Sequence, residues 1–263
     1  NTFEALKNIN YDKNKLEIIY VDSGSTDNSL EIAKNYTDKV FIEKGEWKSA
    51  AKNRNRGIRE ASHNILHFID GDISIHPDYL KKAINILESG KAQVVFGNIK
   101  GKGNWLSRFL ITHWYSRQEG FTEAPGAGGT FLKRALKESG GYDSRIKRGE
   151  ETELGQRLLK NGYKIYYMQS PMGYHYLGNA TLLTVFNRMI REGENMAYIS
   201  IIKSKSSYIK KSKETAYKNI ITNLIGLGIV TILLMSHLYS VLISGLFTFS
   251  ILLILYYKTI KKR

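Results

Sequence analysis

Between Leu16 and Gln169 the sequence changes period repeatedly, short apolar runs giving way to polar stretches with helical spacing. LEIIYVD, KVFIEK, NILHFID, AQVVFGNI and KIYYMQS read as strands. STDNSLEIAKNY reads as a helix, with Ser25, Thr26 and Asp27 as candidate caps and apolar Leu30 and Ala33 three apart. KSAAKNRNRGIREA is a polar helix, and Pro77 opens another that runs through Ser89. Such alternation predicts an α/β fold, a mostly parallel sheet with helices on both faces. Ligands of these sheets gather at the carboxyl ends of the strands, and Asp22 and Asp70 both end a strand.

HFIDGDISIHPDYL runs an apolar strand into two carboxylates, Asp70 and Asp72, separated by Gly71. An unpaired charge at the end of a buried strand is costly, so the pair needs a reason. A tight Asp-Gly turn is the simplest. A calcium loop starting at Asp70 would require glycine at its sixth position and glutamate at its twelfth, where Ile75 and Lys81 stand. A phosphatase of the haloacid dehalogenase type carries two such aspartates on its first strand, whereas a βαβ unit precedes them here. A magnesium or manganese clamp on a diphosphate needs hard oxygen ligands at the mouth of a sheet, which these positions supply.

Four other stretches carry chemistry, each with an ordinary structural alternative. VDSGSTDNS is a strand, turn and helix start, or an aspartate (Asp22, with Ser23 beside it) that accepts from a nucleobase imide, ahead of a helix N-terminus that favours an anion. KNRNRG is a solvated helix face, or it aims the planar fork of Arg54 at a diphosphate. RGEETELGQRL opens a helix with three glutamates, which the helix dipole favours; alternatively Glu150 or Glu151 faces the cleft as a general base. His175, in PMGYHYLG, is a structural histidine or a third metal ligand. APGAGGTF reads as a loop, and NWLSRFLITHWYSR as an aromatic, basic helix on the sheet or at a membrane. No internal repeat or low-complexity tract is visible.

In order and spacing, VDSGSTD, Arg54-Asn55-x-Gly57, DGD, a glycine-rich loop, GGYD and an E-E-x-E-L-x-x-R-L helix resemble the family 2 glycosyltransferases, over roughly Asn1 to Gly193. The resemblance implies a GT-A (Rossmann-like) fold that transfers a sugar, with inversion, from a nucleotide-diphosphate donor. It implies Asp22 at the base, Arg54 near the donor, and Asp70 and Asp72 as the DxD motif that holds Mg2+ or Mn2+, Asp72 the more direct ligand. Glu151 stands where that family usually has the aspartate of a Glu-Asp pair, the catalytic base. The family's first strand, with its nucleotide loop, is not found ahead of Asn1. The Gln-x-x-Arg-Trp motif of processive members is missing too, which implies a non-processive transferase. Acceptor contacts are expected from the glycine-rich loop and from Trp105 to Arg117.

NIITNLIGLGIVTILLM (Asn219 to Met235) and LYSVLISGLFTFSILLILYY (Leu238 to Tyr257) contain no charged residue. A bilayer is crossed by about 20 apolar residues, so a transmembrane hairpin is expected. Lys203, Lys205, Lys210, Lys211, Lys213 and Lys218 precede it and Lys258, Lys261, Lys262 and Arg263 follow, against one acid, Glu214. By the positive-inside rule both ends lie in the cytosol. The expected organisation is a catalytic domain over 1–200, a basic juxtamembrane segment over 201–218, two transmembrane helices over 219–257 and a basic tail over 258–263. TLLTVFNRMIREGENMAYIS adds an amphipathic, surface-lying stretch. The formal charge of +15 is then largely lipid-facing, and nucleic-acid binding loses its support. With no cysteine there is no disulfide framework and no thiolate zinc site. The expected enzyme is a multi-pass cell-membrane transferase with a cytosolic site. Its partners are a nucleotide-sugar donor, a lipid-linked or surface-glycan acceptor and membrane lipids. The rivals are a nucleotidyltransferase of similar fold and an inactive membrane scaffold that binds anionic lipid.

Overall fold

The computed structural model describes residues 2–44, 49–115, 117–123, 126, 128–146, 149–176 and 178–181, with isolated positions beyond (183, 184, 187, 235, 236, 239, 243, 244 and 246–250). The chain divides into two compact units, Asn1–Ile202 and Lys203–Arg263. In the first, the element order is α1 (Thr2–Lys7), a short 3-10 turn, β1 (Tyr20–Asp22), α2 (Ser29–Lys34), β2 (Val40–Ile42), α3 (Ala50–Glu60), β3 (Ile65–Phe68), β4 (Ile73–Ile75) and α4 (Tyr79–Glu88). It continues with β5 (Val94–Lys102), α5 (Trp105–Tyr115), β6 (Gly120–Phe121), β7 (Gly129–Leu132), α6 (Lys133–Glu138), α7 (Glu150–Lys160) and β8 (Ile165–Tyr176).

The expected mostly parallel sheet is corrected to a mixed one. β1 and β2 pair in parallel as a separate ladder. The larger sheet has the order β3-β7-β5-β8-β4, with β6 also on β8. Among the described residues only β5 and β8 run parallel within it; β3–β7, β4–β8, β5–β7 and β6–β8 are antiparallel. Period-2 patterning says which face a side chain takes but nothing of the neighbouring strand's direction. β7 also corrects the expected glycine-rich loop. At Gly129, φ is +113° and an added Cβ would lie 2.5 Å from the Phe96 ring. Glycine there lets a strand pass close over an aromatic rather than making the segment loose.

β5 shows why the sheet is covered on both faces. Val94 and Phe96 join Phe131, Leu136, Leu154, Leu158 and Ile58 on one side. Val95 and Ile99 join Tyr79, Ile84, Leu87, Ile111 and Met172 on the other. β8 alternates in the same way, Ile165 and Tyr167 on the first side, Tyr166 and Met168 on the second. Helix α3 buries Ala51, Arg54 and Ile58, a three-then-four spacing that forms one stripe. Helix α7 is seated by Leu154 and Leu158, both fully buried, and truncating either would cost about 2–5 kcal/mol. These two helices hold the polar groups described next.

The predicted hairpin over 219–257, the basic segments and the amphipathic stretch lie largely outside the described residues. Among the described residues no helix is long and apolar enough to cross a membrane.

Candidate functional site

Arg54 is the centre of the site. It lies in the buried stripe of α3 and is 8% exposed. Its Nη2 donates to Asp70 Oδ1 at 2.9 Å. Its Nη1 donates to Glu150 Oε1 at 2.6 Å and lies 2.9 Å from Glu151 Oε1. One guanidinium therefore joins the end of β3 to the first turn of α7, although 80 residues separate Asp70 from Glu150. The face of the Tyr142 ring lies 5.3 Å from the guanidinium carbon. The planar fork makes this possible; a lysine has one compact charge and cannot span three carboxylates. The expectation was that Arg54 reaches a donor diphosphate, and here its terminal nitrogens are on carboxylates.

The two asparagines beside Arg54, one of them in the Arg54-Asn55-x-Gly57 motif but neither given a role from the sequence, fix this geometry. Asn55 Nδ2 donates to the Tyr142 carbonyl at 2.7 Å, and its Oδ1 accepts from the Tyr142 amide at 2.8 Å. That two-point grip ties the GGYD turn to α3. Asn53 accepts from Ser23 Oγ at 3.0 Å and donates to the Val21 carbonyl at 3.2 Å, tying α3 to the end of β1. Consecutive helical residues point about 100° apart, so Asn53, Arg54 and Asn55 serve three different elements. The available signal was that triplet of long polar groups next to the stripe Ala51, Arg54, Ile58.

Glu150 and Glu151 open α7 at its positive dipole end. Glu150 is buried, and Glu151 is 15% exposed. Burial raises the Glu151 carboxyl to about 7, the nearby charges of Glu150 and Asp70 push the same way, and Arg54 opposes them. Glu153, the third acid, is taken up structurally: Arg157 forks onto it at 2.6 to 3.1 Å and also reaches the Ser139 carbonyl.

The Asp70-Gly71-Asp72 turn joins β3 to β4. The Asp70 carbonyl accepts from Ile73 N at 3.0 Å, and Thr2 Oγ1 donates to the Gly71 carbonyl at 2.6 Å. The Asp72 side chain is 60% exposed. Opposite it on β8, His175 sets Nε2 3.0 Å from Asp72 Oδ2. An ionised carboxylate only accepts, so Nε2 carries the proton, while Nδ1 is buried with no hydrogen-bond partner among the described residues. To bind a cation through Nε2, His175 would have to release Asp72 and move its proton to that buried atom. Among the described residues no three His, Asp or Glu side chains are grouped as a metal centre. The two aspartates still suit a hard cation, because magnesium-type ions commonly take one or two carboxylates and complete their shell with phosphate and water.

Asp22 is buried, and its own loop fills its carboxylate. Oδ1 accepts from the Gly24 and Ser25 amides at 2.5 and 2.6 Å; Oδ2 accepts from Ser25 Oγ at 2.6 Å and Tyr20 Oη at 3.1 Å. Burial raises this carboxyl, but the bonds from Ser25, Gly24 and Tyr20 outweigh it and hold it below the usual range. The structure thus brings Arg54, Asp70, Glu150 and Glu151 into direct contact and pairs Asp72 with His175. Asp22 and Ser23 shape the loop after β1, linked to the rest through Asn53.

Known proteins resemble this chain in sequence and in fold. Glycosyltransferase AglE of Haloferax volcanii is 26% identical over 183 residues, 65% of this chain and 60% of AglE. Poly-beta-1,6-N-acetyl-D-glucosamine synthase of Staphylococcus aureus is 27% identical over 169 residues, 58% of this chain and 41% of the synthase. The chain therefore spans less than two thirds of these relatives. Among solved structures, the mannosyltransferase PcManGT of Pyrobaculum calidifontis, in complex with GDP-Man and Mn2+, superposes with a TM-score of 0.56 at 16% identity, over 78% of this chain and 60% of that one. TarS 1-349 of S. aureus, in complex with UDP-GlcNAc, superposes with a TM-score of 0.53 at 19% identity, over 68% and 54%. Residues 1–135, just over half of the chain, match glycosyl transferase family 2, and the chain belongs to that family.

Proposed function

We propose that the chain transfers a sugar from a nucleotide-diphosphate donor to a hydroxyl of a lipid-linked or cell-surface glycan, with inversion. The observation that carries this reading is the Arg54 clamp. It holds the first DxD aspartate beside two glutamates, one of them with its pKa raised to about 7. A base with a pKa near the working pH suits removal of a hydroxyl proton. The acceptor oxygen gives its proton to Glu151, forms the new bond at the anomeric carbon from the face opposite the leaving group, and the bond to the diphosphate breaks. Glu150, deeper and paired with Arg54, positions the start of α7. Asp22 sets the turn that meets the base, with Ser23 at its edge.

Asp70 and Asp72 would hold Mg2+ or Mn2+, which neutralises charge on the departing diphosphate. His175 keeps Asp72 in place for that role. The complexes of PcManGT with GDP-Man and Mn2+ and of TarS with UDP-GlcNAc support a nucleotide-sugar donor and a divalent cation. The charge-free runs and their basic flanks support a multi-pass membrane location with the site in the cytosol.

The test is a thermal-shift panel of nucleotide sugars on the full chain, with and without Mn2+. One donor should raise the melting temperature more with Mn2+ than without. If none does, the reading fails. The released product separates the rivals: nucleoside diphosphate marks a transferase, pyrophosphate a nucleotidyltransferase and no product a scaffold.

A further inference from the structure

Helix α5 has two unlike faces. Ser107 and Ile111, one turn apart, are fully buried. The helix sits so close to β5 that an added Cβ on Gly101 would lie 2.8 Å from Arg108 Cα and 2.9 Å from Ile111 Cβ. The other face turns outward with large apolar groups: Trp105 is 69% exposed and Phe109 61%. Arg108 between them is exposed, as are Lys100 and Lys102 on the adjoining end of β5. From Ser89 to Gln118 the sequence contains Lys91, Lys100, Lys102, Arg108 and Arg117 and no aspartate or glutamate.

A second observation concerns where the chain goes next. Asn104 Nδ2 donates to the Ala180 carbonyl at 2.8 Å. Ser107 Oγ donates to the Gly178 carbonyl at 2.8 Å and accepts from the Ala180 amide at 3.1 Å. The strap after β8 is thus fastened to the first turn of α5. It leads directly into TLLTVFNRMIREGENMAYIS, the stretch with amphipathic patterning. The same corner adjoins the DxD turn, since the Tyr176 amide reaches the Asp72 carbonyl at 3.4 Å.

We propose that the outward face of α5, Trp105, Arg108 and Phe109 with Lys100 and Lys102 beside it, is a docking surface for an anionic lipid bilayer. Aromatic rings settle at the headgroup level and basic side chains meet the negative surface potential. With no acidic residue in the segment, that surface complements the charge of acidic headgroups. The inference concerns a surface, so it stands or falls separately from the assignment of the catalytic base.

The chain has no cysteine, so single labels can be placed in the full chain. Phe109→Cys, Trp105→Cys and, as control, the exposed Lys160→Cys each carry an environment-sensitive fluorophore. Position 160 precedes β8 and position 109 lies beside its far end, which puts them roughly 35 Å apart along that strand. The proteins are reconstituted in phosphatidylcholine vesicles with or without phosphatidylglycerol, and quenching by spin-labelled lipid is read. Labels at 105 and 109 should be quenched several-fold more than the label at 160, and more strongly with phosphatidylglycerol. Adding Lys100→Glu, Lys102→Glu and Arg108→Glu should remove that excess. Quenching at 109 no greater than at 160 overturns the docking surface. Quenching unaffected by phosphatidylglycerol or by the charge reversals overturns its anionic selectivity.

Discussion

Replacing Arg54 with methionine keeps the length of the stem but removes the charge. It leaves Asp70, Glu150 and Glu151 facing one another with their common cation gone. Removing one partner of a buried ion pair costs about 3–5 kcal/mol, because the remaining charge is stranded. In a domain of this size each kcal/mol lowers the melting temperature by about 2–4 °C, so the expected drop at pH 7 is roughly 6–20 °C. The loss should depend on pH in a known direction. Arg54 opposes the upward shift at Glu151; without it the Glu151 carboxyl rises further above its unfolded value. A group with a raised folded pKa contributes stability at low pH that is lost as pH rises through that pKa. The deficit of Arg54→Met relative to the unmodified chain should therefore shrink between pH 7 and pH 5. Glu150→Gln on top of Arg54→Met should restore part of it, since one stranded charge is removed. Thermal unfolding of the unmodified chain, Arg54→Met, Glu150→Gln and the double variant at both pH values gives the double-mutant cycle. A deficit below about 1 kcal/mol at pH 7, or one unchanged at pH 5, would refute the clamp.

Three further outcomes follow from the same geometry. Asn55→Ala removes both bonds to the Tyr142 backbone and should cost about 1–3 kcal/mol in chemical denaturation. The rate of nucleoside diphosphate release should fall on the acid side with an apparent pKa near 7, the value burial gives Glu151, and about tenfold per pH unit below it; a rate flat from pH 5 to 7 counts against that base. Asp72→Asn should leave the melting temperature of the free protein nearly unchanged, because the side chain is exposed. It should also abolish the extra stabilisation that Mn2+ gives to donor binding; retention of that effect removes Asp72 as a ligand.

The sequence and the structure agree most where one local pattern carries the information. The strand ends at Asp22 and near Asp70 and the glutamates that open α7 were all readable. Strand direction was not, which is why a mostly parallel sheet was expected where the larger sheet is mixed. β4 and β6 are too short to show a period, and β7 was hidden by the glycines that let it pass over Phe96. At the site, spacing located the carboxylates but not their partners. Arg54 meets Glu150 across 96 positions, a contact that no short-range pattern encodes. Asp22 shows the opposite case, a site residue whose contacts are local. Its bonds to Gly24 and Ser25 are local, the turn chemistry that VDSGS spells out and that the strand, turn and helix-start reading of this stretch anticipates.

In the proposed mechanism Glu151 takes the proton from the acceptor hydroxyl while Arg54, itself held by Asp70 and Glu150, keeps it in place. The direct measurement is donor affinity and nucleoside diphosphate release by Glu151→Gln and Glu150→Gln beside the unmodified chain, with Mn2+ and a membrane lipid extract as acceptor. Glu151→Gln should bind donor normally and lose about 10²–10⁴-fold in turnover, with Glu150→Gln less affected in rate. Turnover by Glu151→Gln within a few-fold of the unmodified chain would contradict the account.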